Sequence, residues 1–173
     1  MNKKTAMQFL LAVVFCLALV LPAAASETRQ GTIALEGMEE PIEETLFKSP
    51  LGFSFWYAND SLKAYCEEAG GMEGAIVSAL WSDDSMVLSM ISEEEAMRYI
   101  QDYGVNIEEQ PAASHIQIDV YQNLENGMVH FLTLIAENGQ YVRAAGTYSL
   151  EAAEGNAKYF QRVLDNIIFN TET

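Results

Sequence analysis

The chain has 173 residues, with 25 acidic side chains against 9 basic ones and a formal net charge of −16. That balance repels nucleic acid and anionic membrane surfaces, so both are excluded as partners, while cationic partners stay open. Half of the residues are apolar, which is ample for one ordinary domain with a core of its own.

The first stretch, "MNKKTAMQFLLAVVFCLALVLPAAASE", places Lys3 and Lys4 before an apolar run from Met7 to Leu21, then Pro22 and Ala23-Ala24-Ala25. This is the order of a secretory signal peptide, and the run is shorter than the ~20 residues a membrane-spanning helix needs. Cleavage is expected after Ala25, which makes residues 1–25 a removed leader and the protein an exported one, in the periplasm, the cell-wall space or the medium. Losing two lysines leaves 7 basic against 25 acidic residues, a net charge of −18. The mature chain then keeps Cys66 as its single cysteine, so an internal disulfide is excluded. Cys66 reads as a small buried hydrophobe, and the alternatives are a mixed disulfide or a covalent dimer through it.

Residues 26–41 read as an acidic, flexible start with a short edge strand near Thr32–Leu35. A single domain is expected over 42–173. "EETLFKS" and "FSFWYA" around Pro50-Leu51-Gly52 predict a hairpin. Period-2 alternation then sets Phe53, Phe55 and Tyr57 on one face, with Ser54 and Trp56 on the other. In "ANDSLKAYCEEAGGMEG", Asp60 or Ser61 is placed to cap one helical turn that Gly70-Gly71 stops. "AIVSALWS" and "MVLSMIS" around Asp83-Asp84-Ser85 predict a second hairpin. Ala75, Val77, Ala79 and Trp81 should share one face, and Met86, Leu88 and Met90 another. "SEEEAMRYIQDYG" opens with a capping box, Ser92 and Glu95, adds Glu93 and Glu94 at the positive helix end, and stops at Gly104.

Two "ENG" triplets, 125–127 and 137–139, separate "HIQIDVYQNL", "MVHFLTLIA" and "QYVRAAGTYSL". Asn-Gly favours tight hairpin turns, so three strands form an antiparallel meander. Ile116, Ile118 and Val120 should face inward. In "EGNAKYFQRVLDNIIF", Phe160, Val163, Leu164 and Ile167 fall on one helical face. The expected fold class is therefore α+β: an antiparallel sheet with a C-terminal three-strand meander, flanked by helices as an α/β/α-like sandwich.

"LFKSPLGFSFWYANDSL" and "YFQRVLDNIIF" together resemble the opening hairpin and closing helix of the PsbP-like family, which includes the Ran-binding Mog protein and exported bacterial domains. The resemblance covers roughly residues 42–169. It implies an antiparallel sheet with helices on its faces, no shared active site, and action by binding other proteins. Where a proline often follows the aromatic Tyr57, this chain has Ala58.

Chemical motifs are sparse. His115 and His130 lie on neighbouring meander strands, but counting out from Asn126-Gly127 pairs His130 near Asn123, not His115. No Cys/His spacing fits zinc and no acidic loop fits calcium; Asp83-Asp84 reads as a solvated turn. Met86 and Met90 share a face, the pattern of core filler more than of a copper site. No serine sits in a nucleophile-elbow frame, and Gly70-Gly71 lacks a phosphate loop's lysine. No cofactor is expected. The reading is an exported, non-catalytic binding or accessory domain for a protein or cell-envelope ligand, with Trp56, Trp81 and Tyr121 as candidate anchors. Two alternatives stand beside it: a hydrolase whose site is assembled from distant residues, with a histidine beside Cys66 or a carboxylate, and a small-ligand or copper carrier.

Overall fold

The computed structural model describes residues 26–69, 72–105 and 115–170. The leader expected over 1–25 and the stop expected at Gly70-Gly71 lie outside the described residues. Among the described residues, no helix is long and apolar enough to cross a membrane.

The expected helix-flanked sandwich is corrected by the structure, which is mostly β: two antiparallel sheets and two short helices. The first sheet contains β1 (Thr28–Leu35), β2 (Met38–Lys48), β3 (Phe53–Ala58) and the two-residue β10 (Ile168–Phe169), in that order. The second contains β4 (Leu62–Ala69), β5 (Met72–Ala79), β6 (Ser85–Ile91), β7 (Ile116–Glu125), β8 (Met128–Glu137) and β9 (Gln140–Ser149), with spatial order β4-β5-β6-β9-β8-β7. Helix α1 is Glu93–Asp102 and helix α2 is Lys158–Asp165.

Two segments account for the difference. The acidic start is a long hairpin, with Thr28 paired to Thr45 and Leu35 to Met38. Its strands are held from inside by Ile33 and Ile42, both buried. The expected helical turn at Asp60 or Ser61 is strand β4. Leu62, Ala64 and Cys66 alternate there with Lys63, Tyr65 and Glu67, and every residue pairs with β5. The alanines and glutamates favour helix only weakly, and pairing with a neighbouring strand overrides such preferences.

The other elements follow the sequence pattern. The β2–β3 and β5–β6 hairpins form as expected. In both meander turns Asn126 and Asn138 have φ 52°, with Gly127 at 78° and Gly139 at 77°. Those are the left-handed values a two-residue hairpin requires, reached at least cost by Asn-Gly. Ser92 Oγ accepts the Glu95 backbone N–H at 3.1 Å and starts α1. Ile118 and Val120 face inward as expected, into the cluster formed with α1, whereas Ile116 is half-buried outside that cluster and Val120 is the extra residue of a β-bulge between Asp119 and Tyr121.

One large core joins the two sheets. Phe53 and Phe55 from β3, fully buried, pack with Val77, Met86, Leu88 and Val142 of the large sheet. Phe160, Val163, Leu164 and Ile167 complete it from the α2 side. Each fully buried side chain of this size contributes about 1.5–3 kcal/mol. A smaller core on the opposite face of the large sheet holds Ala96 and Ile100 of α1 with Leu132 and Leu134.

Candidate functional site

The three candidate anchors have three different environments. Trp56 is half-buried on β3, with the Arg29 guanidinium 4.4 Å above its ring. That guanidinium belongs to a clamp built on Glu44, which is wholly buried. Arg29 Nε donates to Glu44 Oε2 at 2.7 Å, and Arg162 Nε donates to Oε1 at 2.7 Å. Arg29 Nη2 also donates to Asn166 Oδ1 at 2.8 Å, so β1, β2 and the end of α2 are tied together. Gly31 makes room for the clamp: a Cβ there would sit 2.7 Å from both Glu44 Oε2 and Arg162 Nη2. Burial pushes the Glu44 carboxyl up, but the hydrogen bonds and charges of Arg162 and Arg29 outweigh it and hold it below its ordinary value.

Trp81 does not share the buried face of Ala75, Val77 and Ala79, as its sequence position suggests. It lies two residues beyond β5 and is 87 % exposed. Its loop is nonetheless fixed. Asp84, expected to be a solvated turn residue, is only 2 % exposed. Its Oδ1 accepts the Ser149 backbone N–H at 2.9 Å and its Oδ2 accepts Asn156 Nδ2 at 2.5 Å. Asn156 Nδ2 also reaches Ser82 Oγ at 3.0 Å. The loop is thus pinned to the end of β9 and to the π-turn Ala153–Ala157 that leads into α2.

Further exposed apolar residues share this end of the large sheet. Leu80 follows β5, Leu124 precedes the β7–β8 turn, and Leu150 donates its N–H to Gly127 O in that turn. In the turns and strand ends at this end Asp60, Asp83, Glu125 and Glu151 are exposed, against the exposed Lys63 and Lys158 at the starts of β4 and α2.

Tyr121 is half-buried and stacks on Tyr103 at 5.1 Å between ring centroids. It also borders a cleft of about 130 Å³ between α2 and the meander. Phe131, Tyr148 and Phe160 form its aromatic wall, and Asp119, Gln122 and Thr133 supply polar groups. Burial raises the Tyr148 phenol above its usual range.

Of the groups that would serve an enzyme or carrier, one histidine stands beside a carboxylate in a partly exposed pair, and the others lie apart. His115 Nδ1 is 3.5 Å from Glu137 Oε2. His130 pairs with Asn123, as counted from the turn, and with Thr147 on its other side. Cys66 is exposed on β4, not buried as expected, with its Sγ 3.9 Å from Ser49 Oγ. Met86 and Met90 both pack in the large core. Among the described residues, no three His, Cys, Asp or Glu side chains gather closely enough to hold a metal ion.

Sequence reasoning named Trp81 but missed what makes it notable, the buried Asp84 behind it. "SDDS" gives no local sign of which aspartate turns inward, because its partners Ser149 and Asn156 are 65 and 72 residues away. The chain matches no protein-family model and no curated protein.

Proposed function

We propose that this is an exported, non-catalytic binding domain that docks a partner protein on the Trp81 end of its large sheet. The observation that carries the reading is a nearly fully exposed tryptophan on a loop pinned by a buried aspartate. Large aromatics dominate binding hot spots, and a loop already held in place loses little entropy when it binds. Leu80 beside it in the loop and Leu150 after β9 are also exposed, and the exposed carboxylates at this end favour a partner whose contact patch is apolar and basic. Trp56 has no part in this contact, because Arg29 already covers its ring. Export rests on the leader-like residues 1–25, and kinship with PsbP-like binding domains rests on the hairpin and helix motifs alone.

The test is affinity capture from the envelope fraction of the producing cells with the mature domain, its Trp81→Ala variant and its Trp56→Phe variant. The expected result is a captured protein that Trp81→Ala loses and Trp56→Phe keeps. Capture that is equal with all three proteins would overturn the reading.

A further inference from the structure

The cleft between α2 and the meander is chemically unlike the docking end and is independent of it. Its inner wall is deeply buried: Phe160 is 2 % exposed, Leu164 3 %, Thr133 4 % and Phe131 9 %. The volume, about 130 Å³, is well below the ~300 Å³ of pockets for drug-sized ligands. It suits a short chain or one side chain.

Asp119 stands at the exposed rim of the cleft with an asymmetric set of partners. Thr133 Oγ1 donates to its Oδ1 at 2.9 Å, and Gln117 Nε2 donates to the same oxygen at 3.2 Å. Among the described residues, Oδ2 accepts nothing and Asp119 enters no salt bridge. A carboxylate with one oxygen fixed and the other open is oriented to receive a donor. The β-bulge at Val120 follows Asp119 directly, and bulges re-aim the side chains beside them. Elsewhere in the cleft lining, Gln122 Nε2 donates to Tyr148 Oη at 3.0 Å, which leaves the phenol proton available.

We propose that this cleft binds an alkylammonium group, with Asp119 Oδ2 accepting its N–H and the Phe131, Tyr148 and Phe160 rings enclosing its alkyl chain. Aromatic faces attract such cations, and the chain's large negative charge concentrates them near the protein. A neutral alcohol of the same length would gain the ring contacts without the ionic hydrogen bond. An anion would meet an unpaired carboxylate. The ammonium could come from a free amine or from a lysine side chain on a polypeptide, and the two sources present the same chemistry to the cleft.

The test is an NMR titration of the mature domain with labelled Phe and Tyr rings, against n-butylammonium, n-butanol and Nα-acetyl-lysine amide. Saturable shifts of the Phe131, Tyr148 and Phe160 rings are expected with n-butylammonium at roughly millimolar affinity, with n-butanol at least about tenfold weaker. Binding of acetyl-lysine amide as well shows that the cleft admits a lysine side chain on a polypeptide; binding of n-butylammonium alone excludes that source and leaves a free amine. Asp119→Asn should weaken binding about tenfold or more. Gln161→Lys, on the exposed side of α2 at the cleft, should place its own ammonium there and compete. It gives a second test should Asp119→Asn perturb the fold. No saturable shift at about 100 mM, equal binding of butanol and butylammonium, or unchanged binding by a folded Asp119→Asn variant would overturn the proposal.

Discussion

Glu44 and Asp84 are both buried carboxylates that tie together distant stretches of chain, yet their partners differ in kind. Glu44 receives two arginines, one from β1 and one from α2, and the clamp fixes the first hairpin to the C-terminal helix. Asp84 receives a backbone N–H and an asparagine amide, and it holds a loop whose next feature is an exposed tryptophan. The first arrangement consumes its surroundings: Arg29 bonds Glu44 and Asn166 and also covers Trp56. The second leaves its aromatic open. The difference separates a tryptophan that belongs to the architecture from one that is available to a partner.

The comparison is broken most severely at Glu44. Glu44→Ala leaves two guanidiniums facing each other without their anion, and breaking a buried pair in this way costs about 3 kcal/mol or more. Arg29 and Arg162 keep some solvent contact, with side-chain exposures of 37 % and 29 %, so the low end of that range is expected in urea melts. Next comes Asp84→Ala, which orphans the Ser149 N–H and frees Asn156, at about 1–3 kcal/mol. In a Trp56→Phe background, the Trp81 fluorescence anisotropy should also decay faster once the loop is unpinned.

Acid provides a subtler distinction. The folded-state pKa of Glu44 is held below its ordinary value of 4.5, so the unfolded chain takes up that proton more readily than the folded one. The stability contributed by the clamp is therefore present above the ordinary value and lost as pH falls through the folded one. Comparing urea melts at about pH 7 and about pH 3 should show that loss, and Glu44→Gln should shrink the difference between the two. The smallest effect on stability is expected for Trp81→Ala. The ring buries little, so its removal should change stability by no more than about 0.5 kcal/mol, in contrast to its effect on partner capture.

Much of the second half was legible in the sequence because its signals are local. The two Asn-Gly turns define the meander, Ser92 caps α1, and the spacing of Phe160, Val163, Leu164 and Ile167 selects the buried face of α2. The first half was less legible. The edge strand expected near Thr32–Leu35 is the second half of β1, but an acidic composition disguised the length of that strand and the start of β2, where Ile33 and Ile42, with Leu35 packed against them, carry the inward pattern. A cap-like Asp60 or Ser61 and the Gly70-Gly71 pair disguised β4, whose conformation depends on pairing with β5. The candidate sites depended even more on distance in sequence. Arg29 over Trp56, and Ser149 with Asn156 on Asp84, are long-range contacts, so nothing near Trp56 or Trp81 indicates which ring is covered.

The central claim is that Trp81, and not Trp56, meets a partner. It is tested most directly by placing a photoreactive phenylalanine analogue at position 81, or at position 56, and irradiating the producing cells. The account predicts a discrete cross-linked adduct from position 81 that excess unlabelled mature domain suppresses, with no such adduct from position 56. Adducts of equal yield from the two positions, or none from position 81, would contradict it.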